Sequence, residues 1–420
     1  MVTKRSFVDI KLLLTALALL FLVTVGCENG ATSSPPPPSK KTPSQSKENN
    51  NHTTKKGSVS QKGSTRQSGT LPEVVSKEDV WRDEKIITFD QILHDQRAWS
   101  ADIISEEGLI VGVVPHQNKK PEQMILFDPT TRTHDVILSV KNSEELGGAQ
   151  VGGVDMNKKW IVWSEPLDQS FDKWNIHVYD RRKKKDRIVT TNPKDANGDG
   201  FGGTFMYPSL YGDEFVWSPV VAPPLEIGPS VAVKKYNIKT GKSTDIAPLG
   251  GNPIITKDFI IWSGPDKKAD DTGALFWNKN GKIEQITKGY EIHFYATDGK
   301  AVAWSGHDKN EPGWSLGIIE NGSERKIFST SKPEDVPQFL SMSERIVAWE
   351  GEDKVQVYDR KLDKVVTLED DEEIADMCNV YTRGNYLFWT TPISATPEDI
   401  RAAKDKGILP HRMHLIEFKD

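Results

Sequence analysis

Cysteine is nearly absent from this chain, with only Cys27 and Cys378 in 420 residues. At most one disulfide can form, so the folded part must take its stability from a packed core. Cys378 sits in the apolar stretch "DMCNVY", where a buried, inert thiol is expected. Long hydrophobic runs are also missing. The apolar run from Leu12 to Val25 spans 14 residues, fewer than a membrane-crossing helix needs. There is no Gly-x-Ser-x-Gly, no His-Glu-x-x-His and no phosphate-binding loop, and the nine histidines are scattered. A formal Gly-x-Gly-x-x-G runs from Gly198 to Gly203, but no helix pattern follows it. Basic excess is lacking too. Residues 81–420 carry 43 Lys/Arg against 54 Asp/Glu, a charge of −11. That balance argues against nucleic acid as the main partner.

The N-terminus is a different material. Lys4 and Arg5 precede the apolar run, which ends in Thr24-Val25-Gly26-Cys27. A positive start, a short apolar core and a small residue at the end read as an export signal. The final four residues resemble the lipobox of bacterial lipoproteins, with Thr24 where Leu is usual. The resemblance implies that Cys27 is acylated and becomes the mature N-terminus. The protein is then expected at the cell membrane, lipid-anchored on the extracytoplasmic face. Residues 28–80 are rich in Pro, Ser, Thr, Asn, Gln and Lys and have little to bury. Such a segment cannot offset its chain entropy and reads as a disordered linker, with a root-mean-square span of about 40 Å.

What the remaining chain has is a repeated tryptophan. "WIVWSE" ends a short apolar run at Trp163, and the pattern returns at Trp217, Trp262, Trp304, Trp349 and Trp389. The spacings are 54, 45, 42, 45 and 40 residues, a period that marks stacked supersecondary units. Each unit reads as four short strands separated by Gly, Asn and Asp turns. An earlier unit fits without the tryptophan, with Gly112 to Val114 in its place, making seven. The last unit is one strand short, and "KIITF" at 85–89 supplies it from the other end. The predicted fold is therefore all-β: a seven-bladed β-propeller with four-stranded antiparallel blades over 81–420, its last blade completed by the N-terminal strand.

The turns "SEEG" and "ATDG" and the third strands "IHVYD" and "VQVYD" resemble the TolB-like and WD40-like propellers of exported bacterial proteins. The resemblance implies this architecture and a habit of binding other proteins, with a monomer expected. Loops after the tryptophan and between units are long and share one face, which is expected to be the working face. Three of its segments stand out. In "NPKDANGDGFGGTF", Asp195, Asn197 and Asp199 with Gly200 match the opening of a calcium-binding EF-hand loop, but Met206 stands where a bidentate Glu is needed. The stretch reads either as half a Ca2+ site or as a polar turn. Phe201 and Phe205 follow it, and "PVVAPPLEIGPS" offers Leu225 and Ile227. A short helix is expected in "TPEDIRAAKDKG", bearing Ile400. "RRKKK" at 181–185 reads as a solvated turn on the opposite face, or as a site for an anionic wall polymer. Two functions follow as expectations. One is a non-enzymatic binding or assembly module for an envelope protein or wall polymer. The other is a polysaccharide-acting enzyme with carboxylates at the central pore.

Overall fold

Each unit of the repeat forms one antiparallel sheet. The computed structural model describes residues 65–67, 70–116, 120–140, 151–167, 173–191, 207–225, 228–265, 273–308, 312–375, 377–393, 396 and 409–419, all within one compact unit. Blade 1 comprises Ser100–Ile104, Ile110–Val114, Glu122–Asp128 and Thr133–Val140, and blade 2 Val154–Met156, Trp160–Pro166, Trp174–Asp180 and Lys185–Thr191. Blade 3 comprises Ser209–Tyr211, Glu214–Trp217, Val233–Asn237 and Lys242–Ala247. A separate hairpin, Val220–Leu225 with Gly228–Val231, rises between its second and third strands. Blade 4 runs Gly251–Ile255, Ile260–Pro265, Gly273–Lys279 and Lys282–Gln285, and blade 5 Tyr290–Thr297, Ala301–Asp308, Trp314–Glu320 and Ser323–Thr330. Blade 6 runs Gln338–Met342, Ile346–Glu350, Val355–Asp359 and Lys364–Glu369. Blade 7 takes Val380–Arg383, Tyr386–Pro392 and His411–Glu417 and is completed by Ile86–Asp90, which pairs antiparallel with His411–Glu417. The seven-bladed ring and its closure are as the sequence predicts.

The repeated "YD" and "YN" endings of the third strands have a local cause. Asp128, Asp180, Asn237 and Asp359 each turn Oδ1 back to accept the backbone N–H groups two and three residues on. These side-chain turns close the hairpins to the fourth strands.

The recurring tryptophans fill the gaps between blades. All six are buried, and each packs against the blade before it: Trp163 on Val111 and Met124, Trp304 on Ile261 and Leu275, Trp389 on Val355 and Val357. Gly112 takes the corresponding place in blade 1. A Cβ there would lie 2.5 Å from the ring of Trp99, which is buried in the gap between blades 7 and 1. The seventh tryptophan is present, delivered from the connecting segment.

The expected linker ends earlier than residue 80. Glu73–Ser76 adds a fifth, parallel strand to the outer edge of blade 6, and the backbone of Thr65–Gln67 does the same on blade 5. A helical turn, Lys77–Val80, follows, and Lys77 donates to the Leu368 carbonyl at 2.8 Å. Trp81 is buried, gives its indole N–H to Asp359 at 3.1 Å and meets Phe418 edge-on at 5.4 Å. Arg345 lies over the Phe418 ring and pairs with buried Asp359 and with Glu84. Val75 and Val80 supply the apolar surface that compositional averaging over 28–80 conceals.

Candidate functional site

The first strand of every blade borders the central channel, so its irregularities shape the channel wall. Ladder register shifts at four of these strands: between Ala101 and Ile103, Gly251 and Ile254, Ile292 and Phe294, and Gln338 and Ser341. A bulge adds an unpaired residue and re-aims its side chain. Asp102, Asn252 with Pro253, His293, and Phe339 with Leu340 are the residues displaced. Three of these bulges lie opposite the recurring tryptophan position (Gly112, Trp262 and Trp349), hence at one height in the channel. Asn252 and Phe339 have φ of 49° and 48°. For a bulky residue such as Phe this is a strained conformation, of the kind found at ligand sites. Phe339 meets Phe294 of the neighbouring blade with ring centroids 5.5 Å apart.

Asp102 is the distinctive group. It is an exposed residue in a strand whose neighbours Ala101 and Ile103 are buried. The surrounding protein pushes its carboxyl up to about 6, and among the described residues neither a cation nor a second carboxylate acts on it. Tyr207 is close enough to feel that charge. Burial and Asp102 together push its phenol up to about 12, although 43% of the residue remains exposed. Its ring lies on the Gly153 backbone, where a Cβ would fall 2.3 Å from Cδ1, so only glycine admits it. Asp95, on the segment leading into blade 1, is a useful contrast. Lys120 at 2.7 Å and Arg97 at 2.9 Å hold its carboxyl down to about 2.

Nearer the tight-turn face, Asp155 is fully engaged. It pairs with Arg383 of blade 7 and accepts the N–H groups of Leu210, at 2.6 Å, and Met156, at 2.7 Å. This one carboxylate therefore ties blades 2, 3 and 7 together. Burial raises the Tyr381 phenol beside it. At the loop end of blade 5, His293, His307 and Trp314 form a ring cluster with centroids 3.7 to 5.7 Å apart. Burial keeps His293 below its ordinary value, and His307 Nδ1 lies 3.1 Å from the Gly313 carbonyl. Among the described residues no group of three or more His, Cys, Asp or Glu could hold a metal ion.

The residues singled out from sequence fare differently. Cys27, Asp195, Asn197, Asp199, Phe201, Phe205, Ile227 and Ile400 lie outside the described residues, and Leu225 ends the first strand of the blade 3 hairpin. The basic turn is largely neutralised: Arg181 pairs with Glu107, Lys183 with Asp180 and Lys184 with Asp135. Cys378 is buried, as expected. Asp102, Tyr207 and Phe339 escaped notice. The one available signal was a charge, Asp102, in the otherwise apolar "WSADIIS".

No protein-family model matches the chain, and no curated protein matches its sequence. Its likenesses are to solved structures. The oligogalacturonate lyase of Vibrio parahaemolyticus is 11% identical with a TM-score of 0.51, over 79% of this chain and 98% of that one. The β-propeller domain of the trilobed protease from Pyrococcus furiosus is 8% identical with a TM-score of 0.50, over 70% of this chain and 91% of that one. TolB from Acinetobacter baumannii is 13% identical at a TM-score of 0.39, over 70% and 59%, too distant to carry an argument. At such identities the likeness shows the propeller fold alone.

Proposed function

We propose that the protein is a non-enzymatic binding or assembly module for a protein or cell-envelope component. It acts as a monomer on the extracytoplasmic face of the membrane, anchored through an acylated Cys27. The supporting observation is the channel wall itself. Bulged inner strands turn Asp102 and Phe339 out of the ladder, and among the described residues Asp102 has no ionic partner. A rigid scaffold that spends backbone strain on presenting side chains is suited to recognition. The competing reading is a polysaccharide-acting enzyme, and Asp102, held near 6, has the proton affinity of a general acid. Such an enzyme uses two carboxyls roughly 5–9.5 Å apart. Among the described residues Asp102 feels no second carboxylate, and Asp155 is consumed by Arg383 and two backbone donors.

The test is an in-cell crosslinking pull-down with the anchored full chain. A control bait carries Gly-Ser in place of 195–203 and 393–408. Specific protein partners lost with the control support the reading. Recovery of polysaccharide alone, with turnover of it, defeats it in favour of the enzyme.

A further inference from the structure

The tight turns lie on the face opposite the long loops, and their charge runs against that of the whole domain. The turns that join first to second and third to fourth strands hold 13 Lys/Arg and 7 Asp/Glu, whereas residues 81–420 together carry −11. Five of those acids, Glu107, Asp213, Asp298, Glu344 and Asp363, are each held by a cation at 2.6 to 2.9 Å. Arg132, Lys158, Arg182, Lys257 and Lys361 are exposed and have no ion pair among the described residues. They come from blades 1, 2, 4 and 6, so the uncompensated positive charge is spread round the face and not gathered at one turn.

The chain that leads back to Cys27 joins the ring at this same face. The backbone of Thr65–Gln67 runs parallel to the outer strand of blade 5, with Thr65 opposite Ser323, the first residue after the Asn321–Gly322 turn. Glu73 likewise lies opposite Lys364, the first residue after the 360–363 turn of blade 6. Parallel pairing fixes the direction: each added strand starts at the tight-turn end and runs toward the loops. The chain therefore enters the ring from the tight-turn side. We propose that the tight-turn face docks on the anionic headgroups of the membrane that holds Cys27, which turns the loop face away from the bilayer and toward partners. The inference deepens the anchored binding-module reading and rests on it. An anionic bilayer attracts basic side chains that come within a Debye length, about 8–10 Å, of its surface. Attachment from the same side keeps these five cations at high effective concentration beside the headgroups, which favours lipid over a wall polymer.

The test is co-sedimentation of the full chain carrying Cys27→Ser, which cannot be acylated there. One set of vesicles mixes phosphatidylglycerol with phosphatidylcholine, and the other is phosphatidylcholine alone. We expect the anionic vesicles to retain the protein at least about tenfold better at low salt, and the preference to vanish at roughly 0.5 M salt. Replacing Arg132, Lys158, Arg182, Lys257 and Lys361 together by Gln should remove most of that preference, with thermal unfolding as the check that the ring still folds. Lys288→Gln with Lys332→Gln, in the connections between blades on the loop side, should leave it unchanged. Equal binding to both vesicle types, or undiminished preference in the folded five-Gln variant, overturns the proposal. Binding of soluble polyglycerol phosphate with none to the anionic vesicles also overturns it, and assigns the face to a wall polymer. If acylated wild type sediments with both vesicle types while Cys27→Ser shows no anionic preference, docking falls and the anchored binding module stands. Absence of partners in the pull-down strikes the binding-module reading instead and leaves the vesicle result as measured.

Discussion

Asp102→Asn should make the protein more stable at neutral pH and less so in acid. Asparagine keeps the shape of the protonated side chain and removes the charge. The folded-state carboxyl lies near 6 against an ordinary 3.8, so folding must take up a proton or bear the cost of a partly desolvated charge. The sign follows. Between about 4 and 6 the folded state holds more protons than the unfolded one, so this residue's contribution falls as pH rises through that window. Taken whole, the shift is worth about 3 kcal/mol at pH 7.5. Because Asp102 is an exposed residue, solvent screening reduces this to about 1 kcal/mol. At pH 4.5 most of the cost has gone in the wild type, and the variant gains well under half as much. The assay is guanidinium unfolding followed by tryptophan fluorescence at both pH values, the quantity being variant minus wild type so that other titrating groups cancel. An unchanged midpoint at pH 7.5, or a lower one, would mean that the carboxylate is well hydrated or has a stabilising partner, and would refute the raised carboxyl. A gain at neutral pH would show that the protein sustains a destabilising group, the pattern expected of a functional site.

Other consequences follow from the same contacts. Trp99→Ala should cost about 3–5 kcal/mol, as for a core tryptophan. Gly112→Ala should cost about 1–3 kcal/mol by overpacking, and less in the Trp99→Ala background, though not zero, because the Ser100 carbonyl also lies 2.5 Å from the added Cβ. A double-mutant cycle by chemical denaturation checks both, and strict additivity would mean that ring and glycine do not meet. Deleting residues 81–92 should destabilise the whole ring, since it removes the closing strand and Trp81 together. A truncated chain that melts like the full one would refute closure. His414 stacks on Trp389, and burial holds it down to about 4. Its folded value is depressed, so it contributes stability above about 6.5 that is lost as pH falls toward 4, up to about 3 kcal/mol. His414→Gln should flatten that part of the acid limb, and an unchanged acid midpoint would count against the assignment.

The ring was legible because its information is local and repeated. One buried tryptophan per unit sets the period, and an Asp or Asn after an aromatic residue sets the third hairpin, so each unit can be read without knowing its neighbours. Blade 1 shows where that logic bends. Gly112 reads as a missing tryptophan, whereas the gap it borders is filled by Trp99 from thirteen residues earlier. The volume between blades is fixed by the packing of whole sheets, and any backbone that reaches the gap can fill it. The strap before the closing strand was missed for a related reason. Val75, Val80 and Trp81 are too few to outweigh the polar composition around them, and they become core only because blades 6 and 7 meet there. The channel was least legible of all. A bulge is a relation between two strands, so no single strand announces that Asp102 or Phe339 will be turned out of register. A lone charge or an out-of-place aromatic in an otherwise apolar first strand is the residual mark. In a propeller such a residue has two destinations: a gap between blades, where an unpaired charge costs several kcal/mol, or the channel, where water reaches it. That choice, more than any motif, puts Asp102 at the centre of the molecule.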